Sequence, residues 1–159
     1  MLFGKNTTGD PNIHWGPSEA KLVIGNYCTI GKNVNIYLNG GSIITKDKKW
    51  IIPLSKCSCS VMIGNDIWIG SNVTIMPGII IGDGACIAEN SRIVADVKPY
   101  SFVYGDPACL IKYKFNKKQI NELLKIKWWN WDDSKIHDYT PLLNGDNVDA
   151  FIRATYTKQ

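Results

Sequence analysis

No run of about 18 consecutive apolar residues occurs in the chain, which excludes a membrane-spanning helix. The first residues, MLFGKNTTGDPN, carry no basic segment leading into an apolar one, so no secretory leader is expected and the expected compartment is the cytoplasm. Histidine is scarce, with only His14 and His137. The 5 cysteines are an odd number with no disulfide spacing, which points to a reducing compartment. Cys57-x-Cys59 is their only close pair, and without a second pair it reads as small loop residues; no metal is expected. Excess charge is small as well. A balance of 18 Lys and Arg against 14 Asp and Glu leaves +4, which suits an anionic small ligand but is too little and too scattered for nucleic acid. What is present is 159 residues, 45% apolar and 20% charged, an ordinary globular composition of one domain's length.

Against that plain background stands a period of six. Isoleucine occupies positions 24, 30 and 36, then 63, 69, 75, 81, 87 and 93. Gly or Ala follows most of them: Gly25, Gly31, Gly64, Gly70, Gly82 and Ala88. The fourth residue after each isoleucine is small or aliphatic too, as at Cys28, Val34, Ile67, Val73, Ile79, Ala85, Ser91 and Val97. A helix of 3.6 residues per turn would smear such a set around its circumference. Short strands joined by tight corners accommodate it. Three hexads make one triangular turn of a parallel β-helix, with each isoleucine pointing inward beneath the one 18 residues later. Gly and Asn between them supply the corner angles that branched residues resist. The competing reading, a β-sandwich with accidental isoleucine spacing, requires nine registered coincidences. The expected fold class is therefore all-β, a parallel β-helix.

The period breaks once. The 27 residues from Ile36 to Ile63 are not a multiple of six, so the chain leaves the coil and returns, with an excursion at about 42–62. The pattern ends at Lys98-Pro99, and an extended piece, SFVYGDPACLIKYKF, follows. Beyond it, Asn116 is placed to cap a helix with Ile120, Leu123, Leu124 and Trp128 on one face. Asp132 or Asp133 caps a second short helix ending before Pro141, and Asn147 starts a third with Val148, Phe151 and Ile152 as its apolar side. Trp128, Trp129 and Trp131 are expected to pack a helix onto a coil end or a neighbouring subunit. The expected organisation is a coil over 1–115 and a helical extension over 116–159.

The segments Ile-Gly-Asn-Tyr-Cys-Thr-Ile-Gly (24–31), Ile-Gly-Asn-Asp-Ile-Trp-Ile-Gly (63–70), Ile-Met-Pro-Gly (75–78), Ile-Gly-Asp-Gly-Ala (81–85) and Tyr-Gly-Asp-Pro-Ala (104–108) resemble those of the hexapeptide-repeat acyltransferases. The tail Ile-Lys-Trp-Trp-Asn-Trp (126–131) narrows the likeness to the xenobiotic acetyltransferase branch, with its streptogramin, chloramphenicol and sugar acetyltransferases. The resemblance implies a left-handed coil, a homotrimer, and acetyl-CoA sites between subunits. It implies that Trp68 faces the acetyl and pantetheine arm, that Gly70 and Gly78 keep the wall bare beside it, and that Ala88, Ser91 and Ala95 continue the channel. It places Pro107 at the adenine end, with Lys98 or Lys112 as phosphate partners. Many relatives carry a lysine where Ala95 stands.

The acceptor side departs from the pattern. The resemblance implies an Asn-His pair at the start of the excursion, its histidine the base for an alcohol acceptor. Here that histidine falls on Ser42 or Ile43. A hydroxyl needs a base as it attacks, help worth roughly 10²–10⁴-fold. An amine is already partly neutral and nucleophilic at cellular pH. The reading favoured by the sequence is thus N-acetylation of an amino sugar, nucleotide-linked, in surface-glycan biosynthesis. Asn39, Ser42 and Trp15 are the expected acceptor contacts, and His14 the candidate relocated base. His137 reads as a surface residue, Asp66 as a corner residue and Asp47 as part of a solvated lysine-rich loop. The alternatives are O-acetylation of a sugar, small alcohol or antibiotic, and a trimeric scaffold without activity. Neither nucleic acid nor membrane is an expected partner.

Overall fold

The computed structural model describes residues 2–16, 18–39 and 59–157. Two strands, β1 (Leu2–Phe3) and β2 (Asn12–His14), precede the hexads. Each repeat isoleucine then lies in a strand of two or three residues: β3 (Leu22–Ile24), β4 (Thr29–Ile30), β5 (Asn35–Tyr37), β6 (Val61–Ile63), β7 (Trp68–Ile69), β8 (Thr74–Ile75), β9 (Ile80–Ile81), β10 (Cys86–Ile87) and β11 (Arg92–Ile93). Two longer strands follow, β12 (Ser101–Gly105) and β13 (Ala108–Tyr113). They form three sheets, ordered β1-β3-β6-β9, β4-β7-β10-β12-β13 and β2-β5-β8-β11. The strands of consecutive coils pair in parallel.

Register sets three interior columns. Ile24, Ile63 and Ile81 stack in the first sheet, Ile30, Ile69, Ile87 and Val103 in the second, and Ile13, Ile36, Ile75 and Ile93 in the third. Cys28, Val34, Ile67, Val73, Ile79 and Ala85, each four residues beyond an isoleucine, are buried as well and fill the corners of the triangle. Each buried isoleucine contributes roughly 1.5–3 kcal/mol of transfer free energy, and the column repeats that contribution coil after coil. Above the excursion the spacing between stacked residues is 18, and across it 39, so the chain re-enters the coil in register.

Corners are held by side chains that tolerate left-handed backbone. Asn33, Asn72 and Asn90 have φ of 57, 59 and 58°, a region in which Asn is enriched. Their amides form a ladder: Asn33 Nδ2 donates to Asn72 Oδ1 at 3.0 Å, and Asn72 Nδ2 to Asn90 Oδ1 at 3.1 Å. At another corner Asp66 has φ 56° and its N–H donates to the Asn26 carbonyl, in keeping with the corner role read from the sequence. Gly84, at φ +69°, sits beneath the buried Tyr100 ring, whose nearest carbon would lie 2.3 Å from an added Cβ.

Residues Met1–Lys112 and Tyr113–Gln159 are two compact units. The second holds α1 (Lys117–Ile126), a 3-10 turn (Trp128–Asn130), α2 (Asp133–Leu143) and α3 (Val148–Thr157). Asn116 closes a capping box with Gln119, Asp132 accepts from the Lys135 N–H, and Asn147 from the Ala150 N–H. One expectation is corrected. The second helix does not end before Pro141 but continues through it to Leu143; only its last turn lies beyond the proline, so little of the backbone ladder is lost. Trp131 packs within its own unit, edge-on to Tyr139 at 5.1 Å and tilted over Phe151 at 6.0 Å. Among the described residues no helix is long and apolar enough to cross a membrane.

Candidate active site

The outward positions of the strands, one residue either side of each isoleucine, give the three sides of the coil different surfaces. On the five-stranded side, Trp68 is 42% exposed and pairs with Thr29 on one side and Cys86 on the other, with Phe102 next in the row. These outward side chains form one row across the sheet. Gly78, with φ 80°, turns the chain between β8 and β9. Ala95 and Pro107 are exposed on the connections that flank β12, the Asp106–Pro107 peptide being cis, and Lys98 and Lys112 are exposed.

Three expected wall residues carry structural duties. A Cβ on Gly70 would lie 2.7 Å from the Glu89 backbone nitrogen, so the next coil demands glycine there. The Ala88 N–H donates to the Val103 carbonyl at 3.0 Å. Ser91 is only 2% exposed; its Oγ accepts from the Gly105 N–H and its carbonyl from the Thr74 N–H. Ser91 therefore secures the turn after β12 from inside and offers nothing to the surface.

On the β2-β5-β8-β11 side, His14 is half-buried at the end of β2. Its Nε2 lies 3.1 Å from Asn35 Oδ1. Its ring stacks on Tyr37, with centroids 4.1 Å apart and planes 5° from parallel. Trp15 follows, 57% exposed. Asn39 is exposed just beyond β5, and Ser42, Ile43, Asp47 and Cys57 lie outside the described residues. His137, far along α2, is exposed beside Asp138, as a surface residue.

Asn35 and Tyr37 are the residues that reading the sequence missed. A signal was available: Asn12-Ile13-His14 repeats the form of Asn35-Ile36-Tyr37, and the two pair residue for residue. The chemistry the cluster allows is proton acceptance by an imidazole held in a fixed plane. Buried thiol and phenol groups elsewhere, Cys28 and Tyr100, are pushed up in pKa by desolvation and remain protonated core groups.

Comparisons with known proteins place this arrangement in a family context. Residues 60–95 match the bacterial transferase hexapeptide model (six repeats). The chain is 41% identical over 155 residues to a probable macrolide acetyltransferase of Lysinibacillus sphaericus, covering 87% of this chain and 86% of the relative. It is 36% identical over 143 residues to a chloramphenicol acetyltransferase of Morganella morganii, covering 80% and 68%. A solved hexapeptide-repeat acetyltransferase of Vibrio cholerae superposes with a TM-score of 0.58 at 25% identity, over 72% of this chain and 64% of that one. The same protein crystallised with acetyl coenzyme A gives 0.56 at 21%, over 72% of each. The shared fold is the left-handed parallel β-helix.

Proposed function

The chain belongs to the hexapeptide-repeat acetyltransferases, in the branch of the chloramphenicol and macrolide enzymes, and from that premise we propose that it transfers the acetyl group of acetyl-CoA to a hydroxyl of a small, sugar-like or antibiotic acceptor, with His14 as the base. The observation that carries this reading is the His14 imidazole, anchored through Nε2 and stacked on Tyr37. A hydroxyl acceptor needs such a group. The acceptor oxygen attacks the thioester carbonyl carbon while its proton passes to the imidazole. The tetrahedral intermediate then expels the coenzyme A sulfur, which takes that proton, and the base is regenerated.

The donor's arm lies along the strip around Trp68 and past Gly78 and Ala95, with Pro107 at its far end and Lys98 or Lys112 toward its phosphates. Trp15 and Asn39 face the acceptor. Because Trp68 and His14 stand on different sides of one coil, the site is completed by a second copy. The outward column Leu2, Val23, Met62 and Ile80 supports self-association: three of these are 65, 50 and 51% exposed aliphatics in one row. The assembly is the homotrimer that the resemblance implies, closed by cyclic symmetry and working in the cytoplasm.

A second reading, N-acetylation of an amino sugar, is favoured by Ser42 and Ile43 standing where the resemblance puts the base. The test is coenzyme A release by the purified protein with acetyl-CoA and matched acceptors: chloramphenicol, a macrolide, neutral sugars, and amino sugars free or nucleotide-linked. The expected result is turnover on hydroxyl acceptors that falls at least about 100-fold in His14→Ala. Turnover on amines alone, at an unchanged rate in His14→Ala, overturns the proposal. Absence of any thermal shift with acetyl-CoA or coenzyme A favours an inactive scaffold.

A further inference from the structure

We infer that Asn35 is a positioning residue for this reaction: it fixes the proton of neutral His14 on Nε2 and so leaves Nδ1 as the basic atom that meets the acceptor. The inference rests on the reading of His14 as base and assigns which of its nitrogens does the work.

An imidazole has two nitrogens, and the partner of one decides the state of the other. Here the partner is an amide, whose own orientation must be settled first. Asn35 Nδ2 donates to the Asn33 carbonyl at 3.2 Å. A carbonyl only accepts, so the NH2 end of the amide points there and Oδ1 is the end that faces His14. Oδ1 only accepts, so the ring nitrogen 3.1 Å away carries the hydrogen. The neutral ring then has its lone pair on Nδ1, which has no hydrogen-bond partner among the described residues. Tyr37 covers one face of the ring and stops it swinging away.

The anchor is itself held. Asn33 takes its left-handed corner angle as part of the amide ladder with Asn72 and Asn90. The Asn35 N–H donates to the Val73 carbonyl at 2.8 Å. A corner device that keeps the coils in register thus also aims a carbonyl at Asn35, and through it determines where the imidazole proton sits. No side chain in this relay needs to move during the reaction. Each turnover loads a proton onto Nδ1 and passes it on to the departing sulfur, while the Nε2–H bond to Asn35 persists throughout.

The experiment pairs kinetics with imidazole NMR on the full-length protein. Long-range 15N–1H spectra at about pH 8.5, above the ordinary imidazole range, distinguish a nitrogen that bears hydrogen from one that does not. His137→Gln identifies the His14 signals. Wild type is expected to show Nε2 bearing hydrogen and Nδ1 bare. Asn35→Leu is expected to move both signals toward averaged values and to lower kcat about 10-fold, with the KM for acetyl-CoA unchanged. Asn35→Asp keeps an acceptor in place and is expected to restore the nitrogen pattern and most of kcat; this variant serves also if the leucine variant folds poorly. A hydrogen on Nδ1 in the wild type, or a wild-type kcat in folded Asn35→Leu, overturns the inference. A wild-type rate in His14→Ala with the expected nitrogen pattern refutes the base reading, and with it the catalytic role of Asn35, while the hydrogen-bond assignment stands.

Discussion

Gly70→Ala separates two reasons for a glycine beside a donor site. The resemblance assigns Gly70 to a bare wall that a ligand lies against. The coordinates put the pressure on another side: the new methyl would stand 2.7 Å from the Glu89 backbone nitrogen and from its Cγ, and 3.0 Å from its Cα. The Cγ belongs to a side chain that can swing away, but the nitrogen and Cα cannot, so the neighbouring coil must lift. Overpacking of this kind costs typically 1–3 kcal/mol. For a chain of this length that is a fall of about 2–12 °C in melting temperature, at roughly 2–4 °C per kcal/mol. The assay is thermal unfolding with and without saturating acetyl-CoA. The donor adds about 2.7 kcal/mol at 100 times its Kd, and this increment is expected to survive in Gly70→Ala on top of a lowered baseline. An unchanged baseline with the acetyl-CoA increment abolished would refute the packing argument and restore the ligand wall.

Other consequences follow from the same geometry. Met62→Asp combined with Ile80→Asp places two charges in the exposed aliphatic row, and light scattering after size exclusion is expected to show monomer in place of the proposed trimer. Ile75→Ala empties part of a column where the side chain is fully buried, and urea unfolding is expected to show a loss of about 2–5 kcal/mol. Burial raises the Cys28 thiol above its ordinary range, so the native state holds that proton where the unfolded chain releases it. Stability from this group is complete below the ordinary thiol pKa and declines as pH rises beyond it; urea titrations from neutral to alkaline pH are expected to show a decline that Cys28→Ala flattens.

The isoleucine columns were legible because a six-residue period admits one economical packing, and each residue in it is a branched aliphatic that cannot be exposed in such numbers. The residue four places on was legible for the same reason, since Val34, Ile67 and Val73 repeat the signal. The lower end of the third column was not: Ile13 lies 23 residues before Ile36, off the period. Missing it hid the pairing of Asn12-Ile13-His14 with Asn35-Ile36-Tyr37, and so the partners of His14. The duties of Gly70, Ala88 and Ser91 were not legible, because small residues look alike in a sequence whether they make room for a ligand or for the next coil. Only the direction of each Cβ and each hydrogen bond tells these apart, and direction is a property of the folded register.

The proposed division of the chemistry between two sides of one coil leads to a last prediction. Trp68 points out from the sheet β4-β7-β10-β12-β13, and His14 from β2-β5-β8-β11. The sides of a triangular coil diverge, so one copy does not present both residues to a single small substrate. In a trimer each seam would take Trp68 from one copy and His14 from the next. His14→Ala and Trp68→Ala should each be nearly inactive alone. When the two are co-expressed and assemble at random, a seam is intact whenever the copy giving His14 is the tryptophan variant and the copy giving Trp68 is the histidine variant. That holds for about a quarter of seams in a closed ring, so about a quarter of the wild-type rate should return. The recovered activity should elute with the trimer and disappear when Met62→Asp and Ile80→Asp are added to both chains. If the mixture is no more active than its parts, the two residues do not meet across a seam, and the site must be built within a single coil.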